Sequence, residues 1–297
     1  MRLAYAGTAA FGVAVLEGLL ASEHEVVVTV TTPDKPRGRR GAPQPSECKQ
    51  AALGHGVPVL QPDDLSAPAS LTELLSHAPD VLVACAYGRI VGQPVLDALL
   101  SVVVHPSLVP RWRGAAPVER ALMAGETELG VATLRMTAGV DEGPVGDLRT
   151  VGVSPDADAG AAYQALAGPA IDGLLATLRA VGDGSVVWRP QIGAATYATK
   201  ITQADRELDW RRPAGALAAQ VRALSPHIGA VTELEGRRTL VWAAQALDRP
   251  PDDARRDRLL MSTGGGWLEI MTLQPESRRR MTAAEYLHGA GRSLAQP

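Results

Sequence analysis

The chain opens on a regular exchange between two patterns. Short apolar or β-branched runs alternate with longer stretches whose apolar residues recur three and four apart. Leu3–Ala6 is the first short run and ends at Gly7-Thr8. Ala10–Leu20 carries helical spacing through Val13, Leu16, Leu19 and Leu20. Further strands are predicted at Glu25–Thr31, Val57–Leu60, Asp80–Ala86 and Ser101–Val104. Helices are predicted near Ser46–Leu53, at Leu71–Ser76 and at Pro94–Leu100. Strands covered on both faces read as continuous apolar runs, and alternation with helices requires crossover connections. An open α/β sheet of parallel strands is the expectation for this half.

Near residue 130 the pattern changes. Gly130–Met136 and Val145–Val153 read as two longer strands, and Ala157–Val181 as one long helix. The stretch 187–204, broken by glycine and proline, reads as a linker. Beyond it, Pro213–Leu224 is a predicted helix. Short strands follow near Gly229–Leu234, Thr239–Leu247, Leu259–Ser262 and Trp267–Leu273, and Thr282–Leu287 closes as a helix. Closely spaced short strands predict a small barrel. The expected organisation is a first domain over 1–186, a linker over 187–204 and a second domain over 205–297.

Composition narrows the class. A length of 297 residues suits about two domains, and 46% hydrophobic with 21% charged residues is ordinary globular usage. No apolar run reaches the ~18 residues a membrane span needs. The start, Met1-Arg2-Leu3, lacks the basic-then-apolar layout of a secretory leader. Two cysteines, Cys48 and Cys85, are too few for a metal cluster or a disulfide framework, so a reducing cytoplasm and no metal are expected. A net charge of −3 argues against a generic nucleic-acid binder. From residue 205 onward, however, 14 basic residues face 12 acidic ones, against 15 and 20 before it. That weak asymmetry is compatible with a polyanion contact. Asparagine is absent, and lysine occurs only at Lys35, Lys49 and Lys200.

In open α/β sheets, sites lie beyond the carboxyl ends of the strands. Three places qualify: Gly7-Thr8, Tyr87-Gly88 and His105-Pro106-Ser107. Gly7-Thr8 does not extend into a G-x-G-x-x-G fingerprint. His105 ends a buried strand, where it is either a satisfied structural group or a proton acceptor near neutral pH. The second role needs a partner that fixes the tautomer and supports the imidazolium. Asp141, in Gly139-Val140-Asp141-Glu142-Gly143-Pro144, is the candidate carboxylate, though its spacing also suits a plain turn. Arg111-Trp112-Arg113 reads either as a surface loop or as a polar-aromatic wall. Lys35-Pro36-Arg37-Gly38-Arg39-Arg40 is a basic loop with the makings of a phosphate contact. A second basic run lies at Arg278-Arg279-Arg280.

Ser107-Leu108-Val109-Pro110-Arg111-Trp112-Arg113-Gly114-Ala115-Ala116-Pro117 resembles the S-L-L-P-R-W-R-G-A-A-P signature of the methionyl-tRNA formyltransferase family. Ala6-Gly7-Thr8, the basic loop, Ala86-Tyr87-Gly88, Val140–Pro144, Lys200-Ile201-Thr202, Asp209-Trp210 and Gln274–Met281 resemble further family segments in order. The resemblance implies a Rossmann-like formyltransferase domain and a C-terminal oligonucleotide-binding-like barrel. It implies formyl transfer from 10-formyltetrahydrofolate to the α-amine of methionyl initiator tRNA by a cytoplasmic monomer, with no metal. By motif, His105 and Asp141 are catalytic, and Ser107, Leu108, Val109, Pro110, Tyr87 and Gly88 contact the folate. Lys35, Arg37, Arg39, Arg40, Arg111 and Arg113 contact the tRNA. One position departs: the family's catalytic asparagine falls on Val103, which has no donor for the developing oxyanion. A slowed enzyme is expected. The alternatives are a tRNA- or folate-binding relative that no longer catalyses, or an enzyme of this fold acting on an amino sugar nucleotide or on water.

Overall fold

The computed structural model describes residues 1–36, 41–251 and 257–289. The basic-loop residues Arg37, Arg39 and Arg40 lie outside the described residues.

The first half builds a seven-stranded sheet. Its strands are β1 (Arg2–Gly7), β2 (Glu25–Val30), β3 (Val59–Leu60), β4 (Val81–Cys85), β5 (Leu100–His105), β6 (Glu128–Arg135) and β7 (Val145–Gly152). They stand in the order β7-β6-β5-β4-β1-β2-β3. From β3 to β5 every pairing is parallel, and the order reverses direction at β1. Burial on both faces is what selected the apolar runs: all five residues of β4 are buried, as are the last five of β1 and of β2. The addition to the expected parallel sheet is β6, which pairs antiparallel with β5 through Val102↔Arg135 to His105↔Ala132. Antiparallel strands are common additions at one side of such sheets, and here β7 lies outside β6 at the edge.

Helix α1 (Ala10–Leu20) packs close to the sheet. Tyr5, fully buried in β1, donates its phenol hydrogen to the Gly12 carbonyl. A Cβ at Gly12 would stand 2.8 Å from the Cys85 carbonyl oxygen and 3.2 Å from both Cys48 Sγ and Tyr5 Oη. The glycine therefore sets the helix-to-sheet distance. Both thiols are buried there, and burial pushes the Cys48 thiol up to about 12.

Contacts divide the chain into two units. The first comprises Met1–Pro117, Glu128–Val151 and Tyr163–Ala198. Two segments from within the sequence span of the expected first domain, Val118–Thr127 and Gly152–Ala162, cluster with the second unit. That unit holds an antiparallel sheet of β8 (Ala230–Leu234), β9 (Arg237–Leu247), β10 (Leu259–Ser262), β11 (Trp267–Pro275) and β12 (Met281–Thr282). Register shifts at Val241 to Ala244 break the β9–β11 ladder. The core is formed by Leu217, Val221 and Leu224 of the helix Ala214–Leu224 against Val241, Leu268, Ile270 and Leu273. This is the small barrel-like domain that the short strands predict.

Gly12→Ala tests the close approach of α1. The added methyl has no room without moving backbone, so the variant is expected to be about 1–3 kcal/mol less stable despite better helix propensity. Denaturant unfolding reads this; an unchanged midpoint would contradict the tight contact.

Candidate active site

The carboxyl ends of β1, β4 and β5 come to one edge of the sheet. The end of β1 meets the end of β4: the Thr8 amide donates to the Ala86 carbonyl (3.2 Å), and Thr8 Oγ1 donates to the Tyr87 carbonyl (2.8 Å). Tyr87 is buried, and its phenol oxygen has no hydrogen-bond partner among the described residues. Ala86 and Gly88 both take positive φ, 49° and 76°, to turn the chain between them.

His105 closes β5 and is 5% exposed. Its two ring nitrogens face different groups. Nε2 lies 2.9 Å from the backbone carbonyl oxygen of Trp112. Nδ1 lies 3.5 Å from Asp141 Oδ2. A carbonyl only accepts, so the hydrogen of the neutral ring belongs on Nε2 and Nδ1 is left with its lone pair. Nδ1 is then the nitrogen that takes up a proton, and Asp141 stands ready to pair with the resulting charge. The same Oδ2 accepts the Gly114 amide at 2.8 Å, which fixes the carboxylate. Sequence spacing left the meeting of His105 and Asp141 open; the fold brings them together.

The loop after His105 is folded tightly enough to deliver that carbonyl. Ser107 Oγ donates to the Arg111 carbonyl (2.7 Å), and the Arg111 amide donates to the Leu108 carbonyl (3.1 Å). Trp112 then takes φ +60° and Gly114 φ +118°. Trp112 thus enters the site through its backbone carbonyl. Leu108 lies over Gly130, where a Cβ would come within 2.2 Å of its Cδ2. Val109 is buried with Ala132 and Leu134, and Val103 and Val145 pack against that cluster. Val103 precedes His105 by two residues, so both point to the same face of the sheet. Val103 is an apolar residue packed against Val109, Ala132 and Leu134.

The basic residues divide. Arg111 and Lys35 are exposed. The Arg113 side chain is 14% exposed, and its guanidinium donates to Gln191 Oε1 at 3.1 and 2.8 Å and to Glu142 Oε1 at 3.3 Å. Lys35 borders a cavity of about 290 Å³ walled by Thr8, Ala9, Pro33, Pro45 and Ser46. Lys49 Nζ donates to both oxygens of Asp34 (3.0 and 2.8 Å) and to Gln61 Oε1 (2.6 Å). Lys49 and Gln61 hold the Asp34 carboxyl below its ordinary range. No cluster of three or more His, Cys, Asp or Glu suited to a metal occurs among the described residues.

The stretch read as a linker supplies what sequence reasoning missed. Tyr197–Ala198 pairs in parallel with Arg113–Gly114. The Trp112 amide donates to Thr196 Oγ1 (2.9 Å), and the Arg113 amide to the Thr196 carbonyl (2.9 Å). The loop that carries Trp112 is thereby braced from a segment about 80 residues later in the chain. No periodicity or motif in 187–204 signals this.

A buried histidine at the carboxyl end of a strand, one nitrogen against a backbone carbonyl and the other facing a carboxylate, is an arrangement able to move a proton. The comparisons give that site a class. The Formyl transferase family matches residues 1–178, and the Formyl transferase C-terminal domain matches residues 200–291. The chain is 39% identical to a methionyl-tRNA formyltransferase of Symbiobacterium thermophilum over 98% of its own length and 93% of that relative. It is 41% identical to one of Thiobacillus denitrificans over 99% and 98%. Among solved structures it is similar to HypX from Aquifex aeolicus in complex with tetrahydrofolic acid. The TM-score is 0.70 at 19% identity, covering 100% of this chain and 48% of that one. It is also similar in fold to the methionyl-tRNA formyltransferase of Clostridium thermocellum, with a TM-score of 0.61 at 11% identity over 93% and 98%. The protein is a formyl transferase. Within that class, it belongs to the methionyl-tRNA formyltransferase family.

Gly143 offers a test of the carboxylate's placement. A Cβ there would fall 1.7 Å from the Arg135 carbonyl oxygen, so Gly143→Ala must displace the 139–144 loop. Displacement of a reacting group by about 1 Å costs roughly 100-fold, and the kcat of formyl transfer is expected to fall on that scale. Steady-state kinetics checks it; a wild-type kcat would detach the loop from catalysis.

Proposed function

We propose that this chain transfers a formyl group from 10-formyltetrahydrofolate to the α-amino group of methionyl initiator tRNA. The observation that carries the reading is the placement of His105 between the Trp112 carbonyl and Asp141. The folate supplies the activated formyl group. The neutral amine adds to the formyl carbon, its proton passes to His105 Nδ1, and the C–N bond to the folate breaks as the proton moves on to the departing nitrogen. Asp141 supports the imidazolium meanwhile.

Ser107, Leu108, Val109, Pro110, Tyr87 and Gly88 are assigned to the folate. Ser107 and Pro110 act there through the turn they build, and Val109 through an apolar wall. Lys35, Arg37, Arg39, Arg40 and Arg111 are assigned to the tRNA; the exposure of Lys35 and Arg111 supports this for those two. Arg113 is assigned to the frame of the loop, because its guanidinium is already bonded. The enzyme acts as a single chain in the cytoplasm. In support stands its similarity to methionyl-tRNA formyltransferases over nearly the whole chain.

Val103 makes the enzyme slow. Loss of one oxyanion donor typically costs about 10²–10³ in rate. Formylation of charged initiator tRNA with a labelled folate donor, at excess enzyme, is expected to yield product slowly. No product would leave only a binding protein, and preference for a sugar nucleotide in competition would move the acceptor. Val103→Asn is expected to raise kcat, by up to about 100-fold, with both KM values little changed. Equal or lower kcat would defeat this account of Val103.

A further inference from the structure

We propose that Gln191 is a positioning residue for Asp141, holding its carboxylate opposite His105; this rests on the assignment of Asp141 given above. Asp141 takes φ +54°, a left-handed conformation that a non-glycine residue keeps only where neighbours impose it. The neighbour is the Gln191 side chain. Its Nε2 donates to the Asp141 carbonyl and to the Gly143 carbonyl, each at 2.8 Å, so both amide hydrogens are used on the loop that carries the carboxylate. Its Oε1 accepts from Nε and Nη2 of Arg113 at 3.1 and 2.8 Å. The next residue, Gly114, donates its amide to Asp141 Oδ2.

These contacts close a circuit. Gln191 grips the backbone of Asp141 with one end and Arg113 with the other, and the Arg113-Gly114 backbone returns to the Asp141 carboxylate. Trp112, whose carbonyl orders the imidazole, immediately precedes Arg113. One side chain thereby ties the group that faces Nδ1 to the loop that holds Nε2. Gln191 touches neither His105 nor the reacting atoms, so its effect passes through Asp141. Only glutamine meets the requirement as built: glutamate keeps the acceptor for Arg113 but leaves two carbonyls without a donor, and alanine removes both ends.

The test is a double-mutant cycle on the full chain, using formylation of methionyl initiator tRNA with 10-formyltetrahydrofolate. Kinetics are measured for wild type, Gln191→Ala, Asp141→Asn and the double variant. Gln191→Ala is expected to lower kcat by about 10–100-fold while both KM values stay near wild type. In the Asp141→Asn background the same change is expected to cost at most about twofold, because no charge is left to position. Where Gln191→Ala fails to fold, Gln191→Glu carries the cycle with the same expectation. A wild-type kcat for the glutamine variant would overturn the inference. So would an equal loss in both backgrounds, the signature of a merely structural role. If Asp141→Asn alone keeps full turnover, the assignment of Asp141 fails and the inference with it. A slowed Asp141→Asn with additive losses refutes Gln191 alone.

Discussion

A histidine can relieve a substrate of a proton only through a nitrogen that carries none, and in this protein one backbone carbonyl makes that choice. The Trp112 oxygen, 2.9 Å from Nε2 of His105, occupies the side of the ring that must bear hydrogen. The opposite nitrogen is turned toward Asp141. Everything nearby serves this arrangement. The strand β5 ends at His105, whose backbone pairs with Ala132 of β6, while the ladder to β4 ends one residue earlier at Val104. The loop after it folds back within seven residues to present a carbonyl, at the cost of left-handed backbone at Trp112. The glycine-lined loop before β7 presents the carboxylate. Neither loop is regular structure; both are held by hydrogen bonds to a segment from much later in the chain.

Val103 bears on a different step. The imidazole and the carboxylate manage the proton, whereas an amide at position 103 would meet negative charge on the formyl oxygen. On the proposed reaction, valine there leaves the facing of His105 and Asp141 unchanged and offers no donor to the formyl oxygen. Packing beside Val109 and Leu134 makes the position an apolar floor. The two effects separate in kinetics, since one concerns tautomer and pairing and the other concerns charge stabilisation in the transition state.

The strands were legible because burial on both faces writes itself as unbroken apolar runs. Ala10–Leu20 and Leu259–Ser262 have the same bounds in structure and sequence reading. The antiparallel placement of β6 was not legible: an apolar strand carries no mark of its direction. The histidine was legible from its place at a strand end, and the family motif supplied its aspartate. Gln191, Thr196 and the Tyr197–Ala198 pairing were not. Their contribution lies in long-range contacts from a stretch with no periodicity, and glycine and proline there mark only an irregular path. The Trp112 ring is visible in the sequence, whereas the contact with His105 is made by its backbone carbonyl, and backbone groups leave no signature in residue type.

The most direct measurement is the tautomer of His105. Nitrogen-15 NMR of the histidine-labelled enzyme, with His105 assigned by a His105→Gln variant and recorded where the ring is neutral, reads which nitrogen holds the hydrogen. The account predicts the Nε2–H form, with Nδ1 showing the shift of an unprotonated nitrogen. A ring protonated on Nδ1 and bare on Nε2 would contradict it, because the nitrogen turned toward Asp141 would then have no place for the substrate's proton.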